Sequence, residues 1–123
     1  MSEDEFPKVL VVDDDKWLQK MITLQLENGI AVLSAHTLAE ARTLFAANPD
    51  IRLVVLDGCL RSAFQVQTPD TLPLIPEIRE TFRGPIIAAS SIPSFRQVMM
   101  EAGCDHDCGD KRGLSREIRR LLE

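Results

Sequence analysis

No apolar run in this sequence comes near the roughly 20 residues that a helix needs to cross a bilayer, so no membrane span is expected. Met1 to Phe6 is acidic and lacks the basic start and apolar core of a secretory leader, which makes the cytoplasm the expected compartment. Cysteine is sparse. Three residues, an odd number, fit reduced thiols better than a disulfide framework. Positive charge is also short: fourteen basic residues against nineteen acidic leave a net charge of −5, which argues against a nucleic-acid-binding face on this chain. What is present is an ordinary globular composition, 45% hydrophobic and 27% charged, and 123 residues suffice for one domain with a real core.

The apolar residues fall into two alternating patterns. Short unbroken runs, Lys8-Val9-Leu10-Val11-Val12, Leu53-Val54-Val55-Leu56 and Pro85-Ile86-Ile87-Ala88-Ala89, read as strands covered on both faces. Ile30 to Ser34 is a shorter strand and Cys104 to Cys108 a weak fifth. Helix-spaced stretches lie between. Trp17, Leu18, Met21, Ile22, Leu24 and Leu26 lead to an Asn28-Gly29 stop, and Thr37-Leu38-Ala39-Glu40 has capping-box spacing for a helix that ends at Asn48-Pro49. A helix over residues 72–82 carries prolines at 73 and 76, another runs from Phe95 to Ala102 and closes on Gly103, and Leu114, Ile118, Leu121 and Leu122 mark the last. Residues 1–6 are expected to be a disordered leader. Residues 58–70 lack periodicity and read as a polar loop with few anchors, more mobile than the helices, flanking the mouth of a site. Strand and helix alternating five times, with right-handed crossovers, imply an α/β fold: one doubly wound parallel sheet with helices on both faces.

Such a sheet gathers the carboxyl ends of its strands along one edge, where open α/β sheets keep their ligand sites. Asp57 ends its strand abruptly, and Gly58 reads as the residue that lets the backbone turn away. Asp13, Asp14, Ser90 and Lys111 follow other strand ends and are expected at the same edge. Clustered carboxylates repel one another, and an oxygen-only cluster with room for water suits Mg²⁺ better than a softer metal. A hydroxyl and an ammonium opposite that metal would complete a cage for a phosphoryl group, with Asp57 the nucleophile that forms an acyl phosphate. Neighbouring residues have plainer readings. Asp15 is a helix-starting acid, His36 a surface residue, Met99 and Met100 core filling, and Ser91 a second candidate to Ser90. Cys104-x-His106-x-Cys108 would place three side chains on one strand face, but the fourth ligand of a structural zinc site is missing.

These residues resemble the response-regulator receiver domains of two-component signalling, over essentially the whole chain. Val11-Val12-Asp13-Asp14 is similar to that family's acidic pair after strand one, and Leu53-Val54-Val55-Leu56-Asp57 to its phosphoacceptor strand. Ile86-Ile87-Ala88-Ala89-Ser90 is similar to its hydroxyl-bearing strand four, and Ala102-Gly103-Cys104-Asp105 to its Ala-Gly-Ala-Asp entry to strand five. The resemblance implies a flavodoxin-like sheet of order 2-1-3-4-5. It implies that Asp14 and Asp57 ligate Mg²⁺ directly, Asp13 through water and Cys59 through its carbonyl. The phosphoryl donor would be a phosphohistidine on a sensor histidine kinase or a histidine phosphotransfer protein, and a downstream effector protein or domain would read the switch. The implied chemistry is Mg²⁺-dependent self-phosphorylation and autodephosphorylation, without a conventional enzyme activity. One helix, Leu114 to Glu123, follows the lysine turn, so no effector domain and no direct DNA binding are expected of this chain.

Three departures from the family pattern stand out. Gly58 to Asp70 has neither the usual proline nor the Met-Asp-Gly turn and is several residues longer, and Lys111 precedes Arg112-Gly113 instead of a cis-proline. His106, Asp107 and Cys108 occupy the region where a switch aromatic is usual. Counting from Gly103 by the family's spacing puts Asp110 at the lysine position, so Lys111 reaches the site only if one extra residue is absorbed, for which Gly109 is best suited. Lys111 is expected inside, because Asp110 there would add a fourth acid with no protein cation nearby. Two other readings stay open. One is a pseudo-receiver, an interaction module with the fold and no phosphorylation. The other is a phosphatase of the haloacid dehalogenase type, suggested by Asp13-x-Asp15, a later serine and a lysine, although Lys16-Trp17 replaces the usual Gly-Thr and no paired acids follow Lys111.

Overall fold

The computed structural model describes residues 5–60, 68–109 and 111–123. Strands and helices alternate: β1 (Lys8–Val12), α1 (Lys16–Leu26), β2 (Ala31–Ala35), α2 (Leu38–Ala47), β3 (Ile51–Leu56), α3 (Leu74–Arg79), β4 (Ile86–Ala88), α4 (Pro93–Ala102), β5 (His106–Asp107) and α5 (Leu114–Leu122). A 3₁₀ turn, Lys111–Gly113, leads into α5. Every strand pairing is parallel and the sheet order is β2-β1-β3-β4-β5, the flavodoxin-like order. Among the described residues no helix is long and apolar enough to cross a membrane.

The unbroken apolar strands follow from a core on each face of the sheet. Because successive strand side chains point to opposite faces, Leu10, Val12, Val54, Leu56, Ile86 and Ala88 join Ala41, Leu74, Ile75, Ile78 and Met99 of α2, α3 and α4. The alternate set, Val9, Val11, Leu53, Val55, Ile87 and Ala89, packs on Ile22 and Leu26 of α1 and Leu114 and Ile118 of α5. Each fully buried Leu, Ile or Val contributes about 1.5–3 kcal/mol, so the central strands β1 and β3 anchor the fold.

The helix starts are chemically explicit. Asp15 caps α1, its Oδ1 accepting from the backbone N–H of Trp17 (3.0 Å) and Leu18 (3.1 Å). Thr37 caps α2, accepting from Glu40 N–H at 3.1 Å. His36 stays at the surface beside Glu40. Gln19, buried in α1, donates its amide to the carbonyls of Val11, Asp13 and Ala35 at 2.9, 3.1 and 3.1 Å, which ties α1 to the ends of β1 and β2.

Two expectations are corrected. α3 spans Leu74–Arg79 and not 72–82. Its approach, Thr71 to Leu74, is made of turn bonds, and beyond it main-chain bonds from Thr81 and Phe82 N–H to Ile78 O make a last turn that the Arg79 guanidinium ties down by donating to the carbonyls of Phe82 (3.2 Å) and Gly84 (2.6 Å). β5 shrinks from Cys104–Cys108 to two residues, partly because the Asp105 carboxylate accepts from Ile86 N–H at 2.7 Å. The thiols of Cys104 and Cys108 then pack into opposite cores, so Cys104, His106 and Cys108 share no face that could hold zinc. Residues 1–4 of the expected leader lie outside the described residues; Glu5 and Phe6 form a turn and bend before β1.

Candidate functional site

The carboxylate half of the site is carried by main-chain ladders that run one residue past the strands. Asp13 N–H donates to Ala35 O at 2.9 Å, and Asp57 N–H to Val12 O at 2.8 Å. This sets Asp13 and Asp57, 3% and 7% exposed, side by side at the carboxyl edge, with Asp14 beside them at the surface. One carboxylate oxygen from each of Asp13, Asp14 and Asp57 lies within 4.8 Å of the others, and no other such group of metal-ligating side chains occurs among the described residues. Lys111 reaches in from the far end of the sheet: its Nζ donates to Asp13 Oδ2 at 3.0 Å and to Asp57 Oδ1 at 3.1 Å. Asp13 Oδ1 also accepts from Asp15 N–H at 2.9 Å. Asp110 lies outside the described residues. Gly109, at φ +66°, adopts the left-handed turn that precedes Lys111.

The electrostatics show a cluster short of positive charge. Burial, and next the charge of Asp13, push the Asp57 carboxyl up to about 6 against the pull of Lys111. Asp14 is also raised, by burial and then by Asp13. Burial works against the Lys111 ammonium, but the carboxylates of Asp57 and Asp13 outweigh it and hold its pKa above the ordinary lysine value. One ammonium among three carboxylates leaves negative charge uncompensated, and all the donors are hard oxygens. These residues fit a small divalent cation such as Mg²⁺.

Ser90 is buried at the end of β4, its Oγ accepting from Ile92 N–H at 3.1 Å, which leaves its O–H free to donate. Gly58 lies against it. A Cβ on Gly58 would come within 2.9 Å of Ser90 Cβ and 3.0 Å of its Oγ, so glycine is required here for close approach. The chain bends at Gly58 as expected, but without a positive φ, so it is the approach to Ser90 and not the backbone conformation that requires glycine. Ser91 is exposed and, with Pro93, Arg96, Gly109 and Lys111, lines a recess of about 430 Å³ next to the carboxylates.

Cys59, half buried, starts the long segment after β3. The two ends of that segment are stitched together. Asp70 N–H donates to Gly58 O at 2.9 Å, the Asp70 carboxylate accepts from Leu60 N–H at 2.9 and 3.1 Å, and the fully buried Thr71 donates through Oγ1 to Asp57 O at 2.7 Å. The expectation of few anchors is therefore corrected at both ends, and the expected mobility concerns 61–67, outside the described residues. Sequence reasoning missed Asp70, Thr71, Gln19 and Arg96. Only Asp70-Thr71 carried a signal, as small polar residues just ahead of a helix, and that signal reads equally well as a cap.

Fold and edge together define a class: the chain has the fold of response-regulator receiver domains. Solved structures of that kind match it over about 95% of its length. The receiver domain of a response regulator from Francisella is similar with a TM-score of 0.73 and 25% identity, over 94% of this chain and 95% of that one. A two-component response regulator from Clostridium difficile gives 0.77 and 22%, over 94% and 95%. The BeF3-activated receiver domain of DrrB, an OmpR/PhoB homologue from Thermotoga maritima, gives 0.72 and 23%, over 95% and 97%. No protein-family model and no curated protein sequence matches the chain.

Proposed function

We propose that this chain is a phosphoacceptor receiver domain of two-component signal transduction, which takes a phosphoryl group from a phosphohistidine onto Asp57. The observation that carries the reading is the Lys111 bridge: an ammonium from beyond β5 sits 3.1 Å from a buried carboxylate at the end of β3, beside two further acids. An oxygen of Asp57 attacks phosphorus, the P–N bond to the donor imidazole breaks, and its electron pair leaves with the imidazole. The product is an acyl phosphate. Lys111 and the Ser90 hydroxyl each bond an oxygen of the transferring group. Asp14 and Asp57 directly, Asp13 through water and the Cys59 carbonyl would hold Mg²⁺, which supplies the charge that offsets the phosphoryl oxygens. The donor is a sensor histidine kinase or histidine phosphotransfer protein in the cytoplasm, and the phosphorylated surface is read by a downstream effector protein or domain.

The phosphatase reading loses support from α1, because Asp15, the second acid of its Asp13-x-Asp15 pair, is occupied in capping that helix. Incubation with Mg²⁺ and acetyl phosphate tests all three readings. A hydroxylamine-sensitive adduct is expected on Asp57, absent without Mg²⁺ and from Asp57→Asn. No adduct on the folded protein would establish the pseudo-receiver, and continuous phosphate release that depends on Asp13 would establish the phosphatase.

A further inference from the structure

The two groups proposed to bond the transferring phosphoryl oxygens, Ser90 and Lys111, sit on different turns, β4–α4 and β5–α5. The strand between them is short: β5 registers with β4 at Ile87–His106 and Ala88–Asp107, flanked by main-chain bonds from Asp105 N–H to Ile86 O and from Cys108 N–H to Ala88 O, both 3.1 Å. A two-residue edge strand is a weak means of holding two functional groups in register. One side chain spans the gap. Arg96, in the first turn of α4 and with a side chain only 14% exposed, donates from Nη1 to the carbonyl of Ser90 at 2.8 Å. Its Nε lies 2.6 Å from Asp107 Oδ1 in an ion pair whose angle makes it a charge contact more than a directed hydrogen bond. The same Asp107 oxygen accepts from Gly109 N–H at 2.8 Å, two residues before Lys111.

We infer that Arg96 is a positioning residue which, through Asp107, clamps the Ser90 turn to the Lys111 turn and so keeps both halves of the phosphoryl cage at working distance from Asp57. The clamp is electrically suited to its place. A neutral Arg–Asp pair adds no net charge beside a cluster in which three acids already outnumber one lysine, and burial of the guanidinium strengthens the contact relative to an exposed pair. The planar fork of arginine makes both contacts at once, which a lysine ammonium on a flexible stem does less well. Its consequence for chemistry rests on the reading of Asp57 as phosphoacceptor, whereas the clamp itself does not.

The test uses the whole chain as parent, Arg96→Met, Arg96→Lys, Asp107→Asn and the Arg96→Met/Asp107→Asn double variant. Amide exchange of the unphosphorylated proteins reads the clamp alone. Arg96→Met is expected to speed exchange at Gly109, whose N–H is held by Asp107 Oδ1, and Asp107→Asn to speed it at Ile92, whose N–H is held by Ser90 Oγ. With Mg²⁺ and acetyl phosphate, each of these variants should form the Asp57 adduct about tenfold more slowly, the double variant no more slowly than either, and Arg96→Lys should recover part of the rate. Mg²⁺ affinity, read by calorimetry, should stay at the parental value, as a general loss of structure would not allow. Unchanged exchange at Gly109 and Ile92 in folded variants, or additive effects in the double variant, would overturn the clamp. A parent that forms no adduct sinks the phosphoacceptor reading instead, and the exchange data still decide the clamp.

Discussion

The two halves of the site are built to different standards. Asp13 and Asp57 stand at the ends of β1 and β3, which pair from Val9–Leu53 to Val12–Leu56 and are buried on both faces, so the main-chain ladder sets the positions from which their carboxylates project. Ser90 and Lys111 lie on turns beyond β4 and β5, where the ladder reaches Ala89 and Cys108 and side chains take over: Asp105 on Ile86 N–H, Arg96 on Ser90 O and Asp107 on Gly109 N–H. The rigid half supplies negative charge, and the half held by side chains supplies the counter-charge. On the proposed reading, change at the edge should cost chemistry before it costs the fold.

The sharpest way to break the comparison is to remove the cation. Lys111→Met keeps the aliphatic stem, and because the lysine hangs from a turn outside the ladders the fold is expected to survive. Adduct formation on Asp57 from acetyl phosphate should fall about a hundredfold, the usual scale for losing one preorganised charge at a reacting centre. Rapid-quench measurement of the adduct checks it, and a parental rate would remove Lys111 from the proposed machinery. The same change should raise the Asp57 pKa further, since Lys111 is what pulls it down.

The rigid half can be probed by pH. Without metal, the folded Asp57 carboxyl is raised from 3.8 to about 6, so between those values the folded state binds more proton than the unfolded one. Its stabilising contribution is therefore fully present below about pH 4 and is lost as pH rises through 6. In metal-free buffer near neutral pH, Asp57→Asn should stabilise the domain by up to about 3 kcal/mol, following from a shift of about two pKa units. Urea denaturation measures it. Added Mg²⁺ should narrow the difference by stabilising the parent alone, and equal stability of parent and variant in metal-free buffer would show that the carboxylates are not under strain.

Where the halves meet, Gly58 touches Ser90. Gly58→Ala places a methyl 2.9 Å from Ser90 Cβ and 3.3 Å from Met99 Sδ, so the β4–α4 turn must shift, at a cost of about 1–3 kcal/mol. Denaturation midpoints and the adduct rate should fall together. A stable variant with slowed phosphorylation would mean that the edge moved and the ladders did not.

The same division decides what the sequence discloses. Strands buried on both faces announce themselves as unbroken apolar runs, so β1, β3 and β4, and with them the places of Asp13, Asp57 and Ser90, are legible from composition alone. The edge is not. Cys104 to Cys108 reads as a strand because alternation cannot show that Asp105 takes over a ladder bond, and Arg96 reads as one more polar helix residue because its partners lie on other elements. Gly58 is half legible for a related reason: the bend after β3 can be read from the sequence, but the close approach of Ser90 that also demands glycine cannot. α3 is shorter than its apolar spacing implies because Pro73 and Pro76 have no N–H to donate and its approach is held by turn bonds.

The smallest effect tests the segment between those halves, and it separates an anchored loop base from an incidental one. Thr71 is fully buried, and its hydroxyl donates at 2.7 Å to the carbonyl of Asp57, the residue at the centre of the proposed chemistry. Thr71→Val keeps shape and volume, removes that donor and leaves the Asp57 carbonyl short of a partner, which should lower stability by about 1–2 kcal/mol. Because no ladder bond is touched, the urea midpoint should move while the slope with denaturant stays at its parental value. Asp70→Ala, which frees Leu60 N–H and leaves the main-chain bond from Asp70 to Gly58 intact, should have an effect of similar size, and the two should couple, since both substitutions release the same loop closure next to Asp57. If Thr71→Val is neutral and the pair strictly additive, the loop base is a set of independent contacts, and the carboxylate half of the site is held by the β1–β3 ladder without help from the segment that follows it.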